Sequence, residues 1–439
     1  MNDVQLPEGW KWVKLSEVCL KIDKTGSKLN NPADEFSYID IDAIDNKTYT
    51  IVNPKRYSWQ NAPSRAQQIV QAGDIVFSTV RTYLKNIALV PGILNNQIAS
   101  TGFCVLRGGT QLHSSYLFYY VLTEQFLRPL NEIQRGTSYP AVRNSDVLDQ
   151  PIPLPPLPIQ RRIVERIEEL FSELEAGTQE LQTALKRLKT YRQAVLHHYL
   201  SNPGWERVRL GEISLKIRNG ISAKPDREAG LKIFRISAVR PNHVYYDDVR
   251  FLEEKEEYSS YILSDGDLLF TRYNGSIDYT GVCAVFRQRS NDPIVHPDKL
   301  IRVTLNGQFC NPDFVCYTAN SGESRTFIRS RIRTTAGQSG ISGADIKSVS
   351  IPLPGLETQT RIVTEIEARL SEADAMEAAI RQSLTQAEAL RQSILKRAFD
   401  GKLVSEVPDD WAVEEAISDS PTSSQPRVRG GKSEQLSLF

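Results

Sequence analysis

Between residues 152 and 202 the apolar positions keep a seven-residue period. Ile167, Leu174, Leu181, Leu188 and Val195 fall on one line, Ile163, Leu170, Gly177, Ala184 and Tyr191 on another, and Glu, Gln, Lys and Arg fill the flanks. Such a seam predicts a helix packed lengthwise against another helix. A proline lead-in ends at Pro158 and no proline recurs before Pro203. That leaves about 40 residues of helix, ~60 Å at 1.5 Å per residue. Its counterpart lies in the same chain, at residues 351–404: Pro153 and Pro352, Gln160 and Gln359, Ile163 and Ile362, and Arg192 and Arg391 are each 199 apart. There Ile366, Ile380 and Ile394 hold the main line, while Leu370 and Leu384 widen the apolar face. Two helices alone leave part of that face wet, so helices of other subunits are expected to cover it.

The repeat extends beyond the helices. PEGWKWVKLSEV is echoed by NPGWERVRLGEI, with Trp10 and Trp205 195 apart, and YIDIDAI (38–44) by IFRISAV (233–239), both read as strands. AGDIVFST (72–79) matches DGDLLFTR (265–272), a Gly-Asp turn feeding a short β-prone run, which makes Gly73, Asp74, Phe77 and Gly266, Asp267, Phe270 structural. A third, degenerate echo at Pro408 and Trp411 implies a chain closed on itself. The fold class is mixed α/β (α+β) in a pseudo-twofold cyclic arrangement. The expected divisions are a globular domain at 1–157, a spacer helix at 158–202, a second globule at 203–355, a second spacer helix at 356–403, and a degenerate repeat start with a disordered tail at 404–439.

Lys plus Arg and Asp plus Glu both number 53, so net charge is zero and a bulk electrostatic coat for nucleic acid is absent, though local basic surfaces are not. No apolar run spans a membrane, no secretory leader opens the chain, and the five cysteines lack metal spacing. These features point to a cytoplasmic protein. Asn311-Pro312-Asp313-Phe314 lacks the second proline of an adenine methyltransferase loop and reads as a turn opening a core helix; no G-x-G-x-x-G precedes it. Gly431-Lys432-Ser433 resembles the end of a phosphate-binding loop, but Pro426 stands where its first glycine belongs. His197 and His198 suit a helix C-terminus. No catalytic residue and no metal site is expected.

The duplicated IPLPPLPIQRRIV and IPLPGLETQTRIV, the closing SILKRAFDGKLV, and the paired GDIVFSTVR and GDLLFTRYNG together resemble the specificity subunits of type I restriction-modification systems. The resemblance covers residues 1 to about 411 and implies a non-catalytic DNA reader. It implies two target-recognition domains, each reading half of a split, asymmetric double-stranded DNA site, held apart by two antiparallel coiled-coil helices. Two modification subunits would bind around those helices and methylate adenine with S-adenosylmethionine. Two restriction subunits, where present, would add an ATP- and Mg-dependent endonuclease. The helix residues expected at the partner interface are Ile163, Ile167, Leu170, Leu174, Leu181, Leu188, Ile362, Ile366, Leu370, Ile380, Leu384 and Ile394. The competing reading is a coiled-coil protein–protein adaptor without DNA specificity.

Positions shared by both halves should hold the fold, whereas positions that read two different half-sites should differ. After the Gly-Asp strands the copies diverge into loops carrying Arg81, Thr82, Tyr83, Lys85 and Asn86, against Arg272, Tyr273, Asn274 and Ser276. A second divergent pair carries Arg135, Thr137, Ser138, Tyr139, Arg143 and Asn144, against Gln338 and Ser339. Arginine suits guanine and asparagine suits adenine. Arg329, Arg331 and Arg333, behind Arg325, form a basic run suited to phosphate, at a helix end running into a strand or loop. The alternative for each residue is a polar, solvated loop.

Overall fold

Two helices of 44 residues each, Leu157–Leu200 and Leu356–Phe399, run through the computed structural model, which describes residues 6–25, 31–335 and 337–404. The echo at Pro408 and Trp411 and the Gly431-Lys432-Ser433 string lie outside the described residues. The chain divides into two units, one reaching Thr178 and resuming at Thr385, the other Gln179–Leu384.

In the first unit Ile163, Val164, Ile167 and Phe171 share a core with Ile394, Leu395, Ala398 and Phe399. The start of one helix therefore lies along the end of the other, and the Arg391 guanidinium sits 4.3 Å from the Phe171 ring centroid. In the second unit Leu196 and Leu200 cluster with Ile362, Val363 and Ile366, and Arg192 pairs with Asp374 (2.6 Å) and Glu377 (2.7 Å). Within each unit the helices are antiparallel. Chain closure is visible in the first unit, where a Cβ on Gly401 (φ +71°) would stand 2.2 Å from Pro7 Cγ.

The globules repeat most of their strands. In the first, Lys55–Ser58, Glu35–Ile39, Gln97–Ser100 and Ala66–Val70 form one sheet, and Cys19–Leu20, Phe103–Gly108, Ile75–Ser78 and Ile87–Leu89 another. In the second, Val249–Leu252, Leu231–Phe234 and Ile294–Val295 answer the first sheet, and Ser214–Asn219, Leu300–Leu305, Leu268–Thr271 and Cys283–Val285 answer the other. Among the described strands one pair in each unit is parallel, with Ile98 opposite Tyr38 and Val295 opposite Ile233. The two runs read as strands are shorter than expected. Strand ends at Ile39 and Phe234, and single 3-10 turns follow at Ile41–Ala43 and Ile236–Ala238. In the first, the Asp40 carboxylate accepts the Ile41 amide at 2.8 Å, a local bond that competes with the ladder.

The Gly-Asp turns set the frame. Gly73 (φ +87°) and Gly266 (φ +85°) take a left-handed conformation that favours glycine. The buried Asp74 then accepts both the Nε and Nη2 of Arg107 at 2.8 Å, and the buried Asp267 meets Arg302 at 2.7 Å. Phe77 and Phe270 are fully buried in the strands that follow.

Each proline lead-in is itself a strand, Pro151–Leu154 paired with Lys11–Lys14 and Ser350–Pro352 with Arg207–Arg209. Proline is tolerated because these ladders are two-stranded and leave one side free of bonds. A buried glutamine then fastens each globule to its helix start. Gln160 accepts the His113 amide (2.8 Å) and donates to the carbonyls of Gln111 (2.9 Å) and Pro155 (2.8 Å). Gln359 does the same with the Asn311 amide (2.8 Å) and the carbonyls of Phe309 (2.9 Å) and Pro354 (2.7 Å). The turn read at Asn311 opens the helix Pro312–Ala319, with Asn311 as cap and Phe314 buried. Among the described residues no helix is long and apolar enough to cross a membrane.

Candidate functional site

In the first unit the chain leaves Ile75–Ser78 and enters a single 3-10 turn, Thr82–Leu84, between Arg81 (φ 50°) and Lys85 (φ 53°). Both flanks are left-handed without being glycine, a costly backbone that neighbours must hold. Buried Thr82 donates its hydroxyl to Asn131 Oδ1 (2.6 Å), Asn46 Nδ2 donates to the Leu84 carbonyl (2.8 Å), and Lys85 pairs with Glu124 (2.8 Å). The Arg81 amide donates to the Pro140 carbonyl (2.7 Å). Its guanidinium donates to the Ser138 carbonyl (2.9 Å) and stacks 4.8 Å from the Tyr139 ring centroid.

Arg135 and Ala141 exchange two backbone bonds of 2.9 Å, so Gly136, Thr137, Ser138 and Tyr139 form an exposed tip, with Tyr139 71% accessible. Arg135 also reaches Asp146 (3.0 Å), which accepts the Arg143 amide (2.8 Å). That amide and the Arg135 guanidinium hold the Asp146 carboxyl below its ordinary value. Arg143 and Asn144 are exposed, Asn86 is half-buried, and the two divergent loops meet on one surface.

The second unit builds its version as a three-stranded sheet, Tyr273–Asn274, Gln338–Gly340 and Arg333–Thr335. Arg272 stacks 4.8 Å from the Tyr273 centroid, and Asn274 lies opposite Ser339 with its Oδ1 accepting the Ser276 amide (3.0 Å). Ser339 is buried, its hydroxyl 3.1 Å from that of Thr334. The basic run splits in two. Arg325 turns inward to the carbonyls of Asp278 (2.8 Å) and Thr280 (2.9 Å), and burial, then the Arg329 charge, pushes its pKa down to about 10. Arg329 pairs with Asp278 (3.0 Å), whereas Arg331 and Arg333 are exposed. A cleft of about 250 Å³ gathers Arg272, Tyr273, Arg331, Arg333 and Gln338.

The two surfaces superimpose in backbone logic. Val142 donates to the Thr79 carbonyl as Ile341 donates to that of Arg272, both at 2.9 Å. Counting onward, Arg81 beside Pro140 and Asn274 beside Ser339 occupy matching places. Sequence reasoning missed the anchors Asn46 and Asn131, which carry no local signal.

Along the helices, Ile163, Ile167, Leu188, Ile362, Ile366 and Ile394 are buried, while Leu170, Leu174, Leu181, Leu370, Ile380 and Leu384 are half-buried. Met376 and Leu390 are exposed at 57% and 51%. Among the described residues no group of three or more His, Cys, Asp or Glu could hold a metal ion.

Residues 7–184 match the family model described as type I restriction modification DNA specificity domain. The EcoKI specificity subunit of Escherichia coli (strain K12) is 33% identical over 320 residues, 69% of either chain. The StySPI specificity subunit of Salmonella potsdam is 27% identical over 320 residues, again 69% of either chain. Of solved structures, one concerning complex assembly and conformational transition of the type I R-M system aligns with a TM-score of 0.77 at 32% identity, covering 91% of this chain and 99% of that one. The HsdS subunit from Thermoanaerobacter tengcongensis aligns at 0.60 and 31% identity over the same shares. With a duplicated frame, two divergent polar surfaces and these relatives, the chain belongs to the type I restriction-modification specificity subunits, the non-catalytic subunits that recognise DNA.

Proposed function

We propose that each unit reads one half of a bipartite, asymmetric double-stranded DNA target, and that the chain thereby directs adenine methylation and restriction by partner subunits. One observation carries this reading: on a repeated frame, the matching places hold Arg81 in one unit and Asn274 in the other. Those side chains suit guanine and adenine respectively. In this reading the target-recognition domains are residues 1–157 and 203–355, and residues 158–202 and 356–403 are spacers. Two modification subunits cover the half-buried middles of the helices, at Leu174, Leu181, Ile380 and Leu384. S-adenosylmethionine, and ATP with Mg where restriction subunits join, are held by those partners, in the cytoplasm.

Single-molecule sequencing of DNA from cells carrying this chain with its modification subunit tests it. Methylated adenines should fall in a two-part motif, and Arg81→Ala should relax one part only. Absence of any methylated motif would reject the reading.

A further inference from the structure

Both units expose apolar side chains from a single 3-10 turn at the same place in the repeat. Thr82–Leu84 presents Tyr83 (51% exposed) and Leu84 (39%); Ile277–Tyr279 presents Ile277 (43%) and Tyr279 (42%). Thr82 and Ile277 are 195 residues apart, against 193 for Gly73 and Gly266, the difference being the two extra residues Gly275 and Ser276. Single exposed apolar residues are ordinary, but a pair repeated on equivalent turns is not scatter.

Neither turn is loose. Asn46, Asn131 and Glu124 tie down the first. In the second, the Thr271 hydroxyl donates to the Tyr279 carbonyl (2.6 Å) and Arg325 holds the carbonyls on either side of it. Cations frame both tips. Arg81 opens the first turn, and the Arg240 guanidinium lies 4.8 Å from the Tyr279 centroid in the second. An apolar tip beside a guanidinium group complements a groove with phosphate walls and an apolar feature on its floor. In duplex DNA that feature is the thymine C5-methyl, which is read by apolar contact and not by a hydrogen bond.

We propose that Leu84 with Tyr83, and Ile277 with Tyr279, read thymine methyl groups in the major groove, one tip per half-site. This rests on the DNA-reading function above and deepens it. If an adenine is methylated in each half, each half holds a thymine opposite it.

The test uses the chain assembled with its modification subunits, and duplexes of the methylome-defined target in which deoxyuridine replaces thymine in one half-site. That exchange removes the methyl and leaves every hydrogen-bonding group. Each methyl lost from the half-site read by the first unit should weaken binding about three- to five-fold. Leu84→Ala should lose a similar factor on the thymine duplex and become indifferent to deoxyuridine in that half-site, while keeping sensitivity in the other. Ile277→Ala should show the mirror pattern, and Ile277→Val should retain sensitivity. Equal binding of thymine and deoxyuridine duplexes by the unaltered complex overturns the proposal while the DNA-reading function stands. So does undiminished sensitivity in Leu84→Ala, or loss of the modification subunits from both alanine variants, which would assign the tips to protein contacts. Failure of the unaltered complex to prefer any duplex would reject the DNA-reading function itself, and this inference with it.

Discussion

Where Arg81 in the first unit lies beside Pro140, Asn274 in the second lies beside Ser339, and two extra residues, Gly275 and Ser276, precede the following turn. A short distance away two polar anchors are kept. Asp74 and Asp267 each neutralise a strand arginine, and Gln160 and Gln359 each make the same three bonds. Buried polar groups tolerate little change, because a lost partner leaves a desolvated charge or an orphaned amide. Exposed loops carry no such penalty, so chemistry can vary there at small cost in stability.

That contrast can be broken by treating both units alike. Asp74→Ala and Asp267→Ala should each destabilise their own unit by about 3–5 kcal/mol, because an arginine held inside the fold loses its close counter-charge, with only the exposed Asp23 at 3.8 Å remaining near Arg107. Hydrogen exchange in Phe103–Gly108 and Leu300–Leu305 would report it, and a cost below about 1 kcal/mol in either unit would show that the frames are unequal. Gln160→Ala and Gln359→Ala should each cost about 2–3 kcal/mol, read at the His113 and Asn311 amides, by stranding one amide and two carbonyls. Exchanging the divergent pair, as Arg81→Asn with Asn274→Arg, should leave stability alone and shift base preference in both half-sites by about 1–3 kcal/mol per contact, measured by competition binding.

Acid should separate the units. Val295 is followed by His296, fully buried, at the place where Ile98 is followed by Ala99. Burial, then the Arg302 charge, pushes the His296 pKa down to about 3, below its ordinary 6.5. The unfolded chain therefore takes up the proton first. This contribution to stability is whole above pH 6.5 and is lost toward pH 3, at about 1.4 kcal/mol per pH unit. Acid titration of unfolding should show this slope in the second unit, and His296→Ala should remove it. The smallest effect belongs to the exposed basic residues: Arg331→Ala or Arg333→Ala should lower the salt dependence of DNA binding by about one unit of slope each, without changing sequence preference.

The helices were legible because little besides lengthwise helix packing sustains a seven-residue period over 44 residues, and the repeat because helix and Gly-Asp strand preserve spacing. The polar loops were legible as divergence, but not their geometry. Thr82 and Ser339 look like loop hydroxyls and are buried in bonds to Asn131 and Thr334, partners that are distant in sequence or carry no signal of their own. Arg325 reads as one of a basic run, yet it turns inward to backbone carbonyls while Arg329 pairs with Asp278. Ile41 and Ile236 keep strand alternation although a local turn wins there, because capping contributes nothing to hydrophobic pattern.

The first unit borrows Ile394, Leu395, Ala398 and Phe399 from the far end of the chain, whereas the second is one continuous segment, Gln179–Leu384. On the ribosome this sets an order of assembly. The segment from Gln179 to Leu384 takes roughly 10–40 s to synthesise at 5–20 residues per second. Through that interval Tyr116 and Tyr120, which later pack against Phe399 at 5.0 Å, lack that ring, and Tyr120 keeps only its contact with Phe126. The unit made first is the unit finished last, and its aromatic seat stays open until Phe399 arrives.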